Sequence, residues 1–140
     1  MSGQTQIPSQ IPFSVGLDMG GTKCAGVLVD PNGNVLASNR VQTPTGASNV
    51  IDAFVTSARE LMAQSPEPVG AVGCGVPGLI TEDGVLRFAP HLPGVTELPM
   101  QALLTERLEV PVIVANDNTC AAWGEYAFDR TADTFLYVGF

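Results

Sequence analysis

Gly16-Leu17-Asp18-Met19-Gly20-Gly21-Thr22-Lys23 sets a carboxylate, a pair of adjacent glycines, a hydroxyl and an ammonium along one short stretch. Glycine lets a backbone come close to a ligand, so Gly20 and Gly21 can offer amide N–H groups as an anion nest. Thr22 and Lys23 can then contact phosphate oxygens, and Asp18 can hold Mg2+ through water. The run almost matches the phosphate loop G-x-x-x-x-G-K-[ST], but its Lys and hydroxyl residue stand in the opposite order. Such a loop, like a dinucleotide fingerprint, must open a helix, whereas Ala25-Gly26-Val27-Leu28-Val29 continues as β. What remains is a glycine hairpin turn suited to phosphate, or else a plain tight turn with a capping Asp and a solvated Lys.

In Ala115-Asn116-Asp117-Asn118-Thr119 an apolar run delivers polar side chains to its C-terminal end, just ahead of a helix. Ligands of open α/β sheets sit at that end. Asp117 can act there as general base toward a sugar hydroxyl, with Asn116 hydrogen-bonding a neighbouring hydroxyl. Asp or Asn before a helix is also what an N-cap looks like. Gly73-Cys74-Gly75-Val76-Pro77-Gly78 ends another strand in a turn where backbone can approach a small ligand, or in a sharp turn and nothing more. His91, the single histidine, follows Pro90 in a loop with no second metal-type ligand nearby, which reads as a surface or rim residue. Trp123, Tyr126 and Phe128 read as the core side of a helix, and Glu125 as its solvated or packing edge. No Ser-His-Asp or Cys-His set emerges to activate a hydrolase nucleophile.

These residues need strands and helices to place them. Apolar runs predict strands at 13–17 and 24–29, and the turn Asp30-Pro31-Asn32-Gly33 leads to a third at 34–41. Ser48 or Asn49 can cap a helix whose stripe is Val50, Ile51, Phe54, Val55, Ala58, Leu61 and Met62, ended by Pro66 and Pro68. A buried strand at 69–76, a small β excursion at 79–88, a helix at 99–108 with Pro99 in its first turn and a central strand at 110–115 follow. A helix at 118–128 and a strand at 135–138 close the order β-β-β-α-β-α-β-α-β, a mixed sheet covered by helices.

Composition narrows the partners. The chain has 140 residues, the size of one domain, with 45% hydrophobic and only 14% charged residues, so it folds. A net charge of -8 repels polyanions, which argues against nucleic acid, and 6 basic residues make a poor track for polyphosphate. Cys24, Cys74 and Cys120 form no C-x-x-C pair, which fits buried, reduced thiols of a cytoplasmic protein and neither a disulfide framework nor a zinc cage. The start of the chain is polar up to Pro12 and its first basic residue is Lys23, unlike a signal peptide. No apolar run approaches the ~20 residues of a membrane span.

Val15-Gly16-Leu17-Asp18-Met19-Gly20-Gly21-Thr22-Lys23, Gly73-Cys74-Gly75-Val76-Pro77-Gly78 and Val114-Ala115-Asn116-Asp117-Asn118, in this order, resemble the ROK family of repressors, open reading frames and sugar kinases. The likeness covers residues 13–140. It implies a ribonuclease-H-like α/β fold of the actin–hexokinase ATPase type, built as a pair of domains around a nucleotide cleft. It also implies ATP-dependent phosphorylation of a hexose, glucose to glucose 6-phosphate. By position the resemblance gives Asp18 to Mg2+, and Gly20, Gly21, Thr22 and Lys23 to the phosphates of ATP. It gives Gly78, Asn116 and Asp117 to the sugar, with Asp117 as the base.

There are departures from the family pattern. Pro90-His91-Leu92 stands where the family commonly has Asn, which leaves the hexose open. The family's second phosphate loop, further Glu and His sugar ligands, Cys-rich zinc motif and adenosine pocket fall beyond the equivalent of Phe140. Structural zinc is therefore expected in that absent lobe and not in this chain. The expectation is a flexible tail over 1–12 and a first kinase lobe over 13–140 that does not phosphorylate sugar unaided. Its rival is a non-catalytic sugar-binding, regulatory or assembly module that pairs its sheet edge with a second copy as a homo-oligomer. The repressors of the family carry a helix-turn-helix ahead of the first motif, which the short acidic chain does not match.

Overall fold

The computed structural model describes residues 12–117. Within them the order is β1 (Phe13–Met19), β2 (Lys23–Val29), β3 (Val35–Gln42), α1 (Ala47–Met62), β4 (Val69–Val76), β5 (Leu79–Ile80), β6 (Leu86–Phe88), β7 (Thr96–Leu98), α2 (Met100–Leu108) and β8 (Val112–Asn116). The predicted helix at 118–128, strand at 135–138 and nearly all of the predicted tail lie outside the described residues, as does Cys120.

Turn chemistry sets the antiparallel start. The Asp30 carboxylate accepts the backbone N–H of Asn32 (2.9 Å) and Asn34 (2.8 Å) and the side chain of Asn34 (3.1 Å), and Gly33 completes the turn at φ 88°. Those bonds, Asn34 foremost, hold the Asp30 carboxyl below the usual carboxylate range. β1, β2 and β3 therefore pair antiparallel. α1 then carries the chain across to β4, parallel to β1, and α2 carries it to β8, parallel to β4. The result is a five-stranded sheet in the order β3-β2-β1-β4-β8, beside a three-stranded sheet β5-β6-β7.

Strand alternation sorts the side chains. Val15, Leu17, Met19, Cys24, Leu28, Val72, Cys74, Val76, Val112 and Val114 are buried, and α1 brings Val50, Phe54, Val55, Ala58 and Leu61 into the same core. Burying each large apolar side chain is worth roughly 1.5 to 3 kcal/mol, which fixes the register because a one-residue slip would turn the whole set outward. Asp18, between buried Leu17 and Met19, consequently rises from the opposite face of the sheet.

Several boundaries differ from expectation. Asp18 belongs to β1 and Lys23 to β2, because the ladder continues through Asp18↔Ala25 and Met19↔Cys24; the turn is shorter than predicted. Neither Ser48 nor Asn49 caps α1. The N-cap is Gly46 at φ 91° with no side-chain cap, and the Asn49 side chain donates back to the Thr45 carbonyl (2.9 Å). Pro99 is the N-cap of α2 and not its first turn, and β8 begins at Val112, since Pro111 lacks the N–H that a ladder uses. β7 was not foreseen: its Thr96, Glu97 and Leu98 show no clear alternation, and Glu97 has φ 48°.

Candidate active site

The parallel strands bring their C-terminal ends to one edge of the sheet. Asp18 pairs with Gly75, Gly75 with Ala115, and Val76 with Asn116, so the first, second and third sequence motifs converge there. Asp117 follows Asn116 directly and is half-buried.

The glycine turn after β1 is pinned from outside. Gly20 N–H donates to the Lys23 carbonyl (2.8 Å) and closes the turn. Thr43, just past β3, donates its N–H to the Thr22 carbonyl (2.9 Å) and its hydroxyl to the Gly20 carbonyl (2.8 Å). Gly20 and Gly21 are not among the described glycines with positive φ, so the turn lacks the left-handed residue of the expected amide nest. Gly20 N–H is thus committed within the turn, and Thr22 and Lys23 beside it are exposed.

Gly21 supports a contact that no local pattern announced. A Cβ on Gly21 would stand 3.2 Å from the His91 Cβ and 3.5 Å from the His91 carbonyl, so the loop after β6 rests against the glycine turn. Buried Ala89, Leu92 and Val95 anchor that loop, and Leu92 and Val95 donate to the Ala89 (3.0 Å) and Leu92 (3.1 Å) carbonyls. His91 itself is exposed, and its backbone and Cβ lie against the glycine turn.

Gly78 takes φ 120°, and a Cβ there would meet the Phe88 carbonyl oxygen at 2.2 Å. Its own carbonyl accepts the Asn116 side-chain N–H at 2.8 Å. Asn116 is thus tied to the turn that follows β4, and the motif with Gly78 and the motif with Asp117 become one assembly.

Electrostatics links that assembly to the first motif. Desolvation, and after it the negative charge of Asp117, raises the Asp18 carboxyl above its ordinary pKa. Beneath it, burial and then the Asp18 charge push the Cys24 thiol up to about 11, so Cys24 is an inert core thiol. Two carboxylates that repel each other at one edge form a fitting seat for a divalent cation. Mg2+ is commonly held by one or two carboxylates, with water and substrate phosphates completing its shell. No group of three or more His, Cys, Asp or Glu side chains gathers among the described residues, so such an ion would draw the rest of its ligands from water and substrate.

A carboxyl whose pKa is raised by folding binds its proton more tightly in the folded state, so stability is lost as pH climbs through the raised value. Asp18→Asn removes that loss. The variant is expected to melt above wild type at neutral pH, with the difference fading as pH falls below the ordinary Asp range. A lower melting temperature at neutral pH would contradict the Asp18–Asp117 repulsion.

The mixed sheet with its helices and edge-gathered carboxylates is of the actin–hexokinase ATPase type. The chain belongs to the ROK family, which matches residues 14–139. It is 36% identical over 117 residues to a Streptomyces coelicolor glucokinase, covering 83% of this chain and 36% of that protein. It is 37% identical over 128 residues to an Escherichia coli N-acetyl-D-glucosamine kinase, covering 89% of this chain and 41% of that one. The solved ROK glucokinase of Streptomyces griseus in complex with glucose and AMPPNP superimposes with TM-score 0.75 at 34% identity, over 83% of this chain and 36% of its own. The chain therefore spans well under half the length of these relatives. No helix among the described residues is long and apolar enough to cross a membrane.

Proposed function

We propose that residues 13–140 are the first lobe of a cytoplasmic, ATP-dependent hexose kinase whose acceptor is glucose. The observation that carries this reading is the half-buried Asp117 at the end of β8, next to Asn116 tethered to Gly78 and within electrostatic reach of Asp18. In this reading Gly78 and Asn116 hold the sugar, and Asp117 accepts the proton of its 6-hydroxyl as that oxygen attacks the terminal phosphorus of ATP. Gly20, Gly21, Thr22 and Lys23 receive the phosphates, with Thr22 and Lys23 making the contacts and the glycines leaving room. Mg2+ at Asp18 would neutralise phosphate charge during transfer. The glucokinase bound to glucose and AMPPNP supports both ligands as candidates.

Phosphoryl transfer depends on positioning both reactants, and the matched relatives are more than twice as long as this chain. The 140 residues alone are expected to give no ADP release above background in a coupled assay with glucose and ATP, whereas a longer gene product containing them turns over. Normal turnover by the short chain would overturn the lobe assignment. A longer product without hexose-dependent ADP release would overturn the kinase reading itself.

A further inference from the structure

We propose that Arg40 is a second cation for the phosphate tail of the donor, working beside Lys23 on the face of the sheet that carries Asp18. This rests on the kinase reading of the same site. The other basic side chains of the described residues are already engaged: Arg59 donates to the Arg107 carbonyl (2.9 Å), Arg107 pairs with Asp52 (2.5 Å), and Arg87 pairs with Glu97 (3.0 Å). Lys23 and Arg40 are exposed and form no hydrogen bond or ion pair through their side chains among the described residues.

The register brings these cations to the first motif. Asp18 pairs with Ala25, Ala25 with Arg40, and Lys23 with Gln42. Cross-strand partners share a face, as do residues two apart along a strand. Asp18, Lys23 and Arg40 therefore rise together, away from buried Cys24 and Leu28. Neighbouring strands lie about 4.8 Å apart, so the Arg40 backbone stands roughly 10 Å from that of Asp18, a gap that a guanidinium arm and a chain of phosphates can close between them.

Charge makes the placement matter. A chain of net charge -8 repels a polyphosphate tail at long range, so capture depends on local cations whose charge is not spent on neighbouring carboxylates. Arg40 also suits the task in shape, since a planar guanidinium can meet two phosphate oxygens at once while Lys23 supplies a point charge. An arginine that merely keeps an edge strand soluble would have no effect on phosphate affinity.

The full chain is titrated calorimetrically with Mg2+ and AMPPNP, and separately with inorganic tripolyphosphate, as wild type, Arg40→Gln, Arg40→Lys and Arg87→Gln. Arg40→Gln is expected to weaken AMPPNP binding about tenfold or more, the loss of one charge-assisted contact. Arg40→Lys should recover part of it. Arg87→Gln should bind like wild type, and the melting temperature of Arg40→Gln should not move, because the side chain has no partner to lose among the described residues. An equal loss with tripolyphosphate assigns the contact to any phosphate chain, and a loss with AMPPNP alone assigns it to the nucleotide. Wild-type affinity in Arg40→Gln overturns the proposal while leaving the kinase reading standing. A wild-type chain that binds neither ligand overturns the Arg40 proposal, and the kinase reading then stands or falls on the hexose-dependent ADP release of the longer product.

Discussion

Asp117→Asn should cut phosphoryl transfer by roughly 10² to 10⁴ while leaving the fold intact, measured in the longer kinase proposed to contain this sequence. The two roles open to this residue separate cleanly under that substitution. Asn caps a helix about as well as Asp, so a purely structural residue would lose nothing. Asn cannot accept a proton from a hydroxyl, so a general base would lose nearly everything. The surroundings sharpen the contrast. Asp117 sits close enough to Asp18 to raise its pKa, and neutralising it relieves that repulsion. Stability of the 140-residue chain should therefore hold or rise slightly, and a drop in kcat can be charged to chemistry. Retained turnover would leave Asp117 as a cap, and another group would have to take the proton.

Gly78→Ala should destabilise the chain by on the order of 2 to 6 kcal/mol, from backbone strain at positive φ and from overlap with its neighbours. At φ 120° an L side chain is strained in any surroundings, and here its Cβ would lie 2.2 Å from the Phe88 carbonyl oxygen and 2.9 Å from the Ala89 Cα. Both contacts are backbone, so no rotamer change can absorb them. The carbonyl of the same residue receives the Asn116 side chain, so a displaced turn also shifts the residue proposed to hold the sugar. Gly73→Ala is the matched control: a Cβ there meets nothing within 4 Å among the described residues. Urea unfolding midpoints near wild type for Gly73→Ala and far lower for Gly78→Ala would establish the difference; equal midpoints would remove Gly78 as a steric keystone.

The strands were legible because their apolar runs are long relative to the punctuation around them. The turn at Asp30-Pro31-Asn32-Gly33 was legible because each residue has a local mechanism. What could not be read locally was pairing: nothing in 13–17 or 110–115 states that β1, β4 and β8 run parallel and gather Asp18, Gly75 and Ala115 in one row. Ser48 and Asn49 are good capping types, yet the backbone turns at Gly46 and uses Asn49 to hold Thr45. The candidate site residues stand out by type, Asp117 above all. Their supports did not, since Thr43 and His91 reach the glycine turn across long stretches of chain that carry no shared pattern.

Thr43 lies on the short link between the end of β3 and the start of α1, and its hydrogen bonds to Gly20 and Thr22 make that link a lever. The position of α1 and the set of the glycine bend are therefore joined through one residue, and removing the Thr43 hydroxyl would leave its backbone bond to Thr22 to hold them.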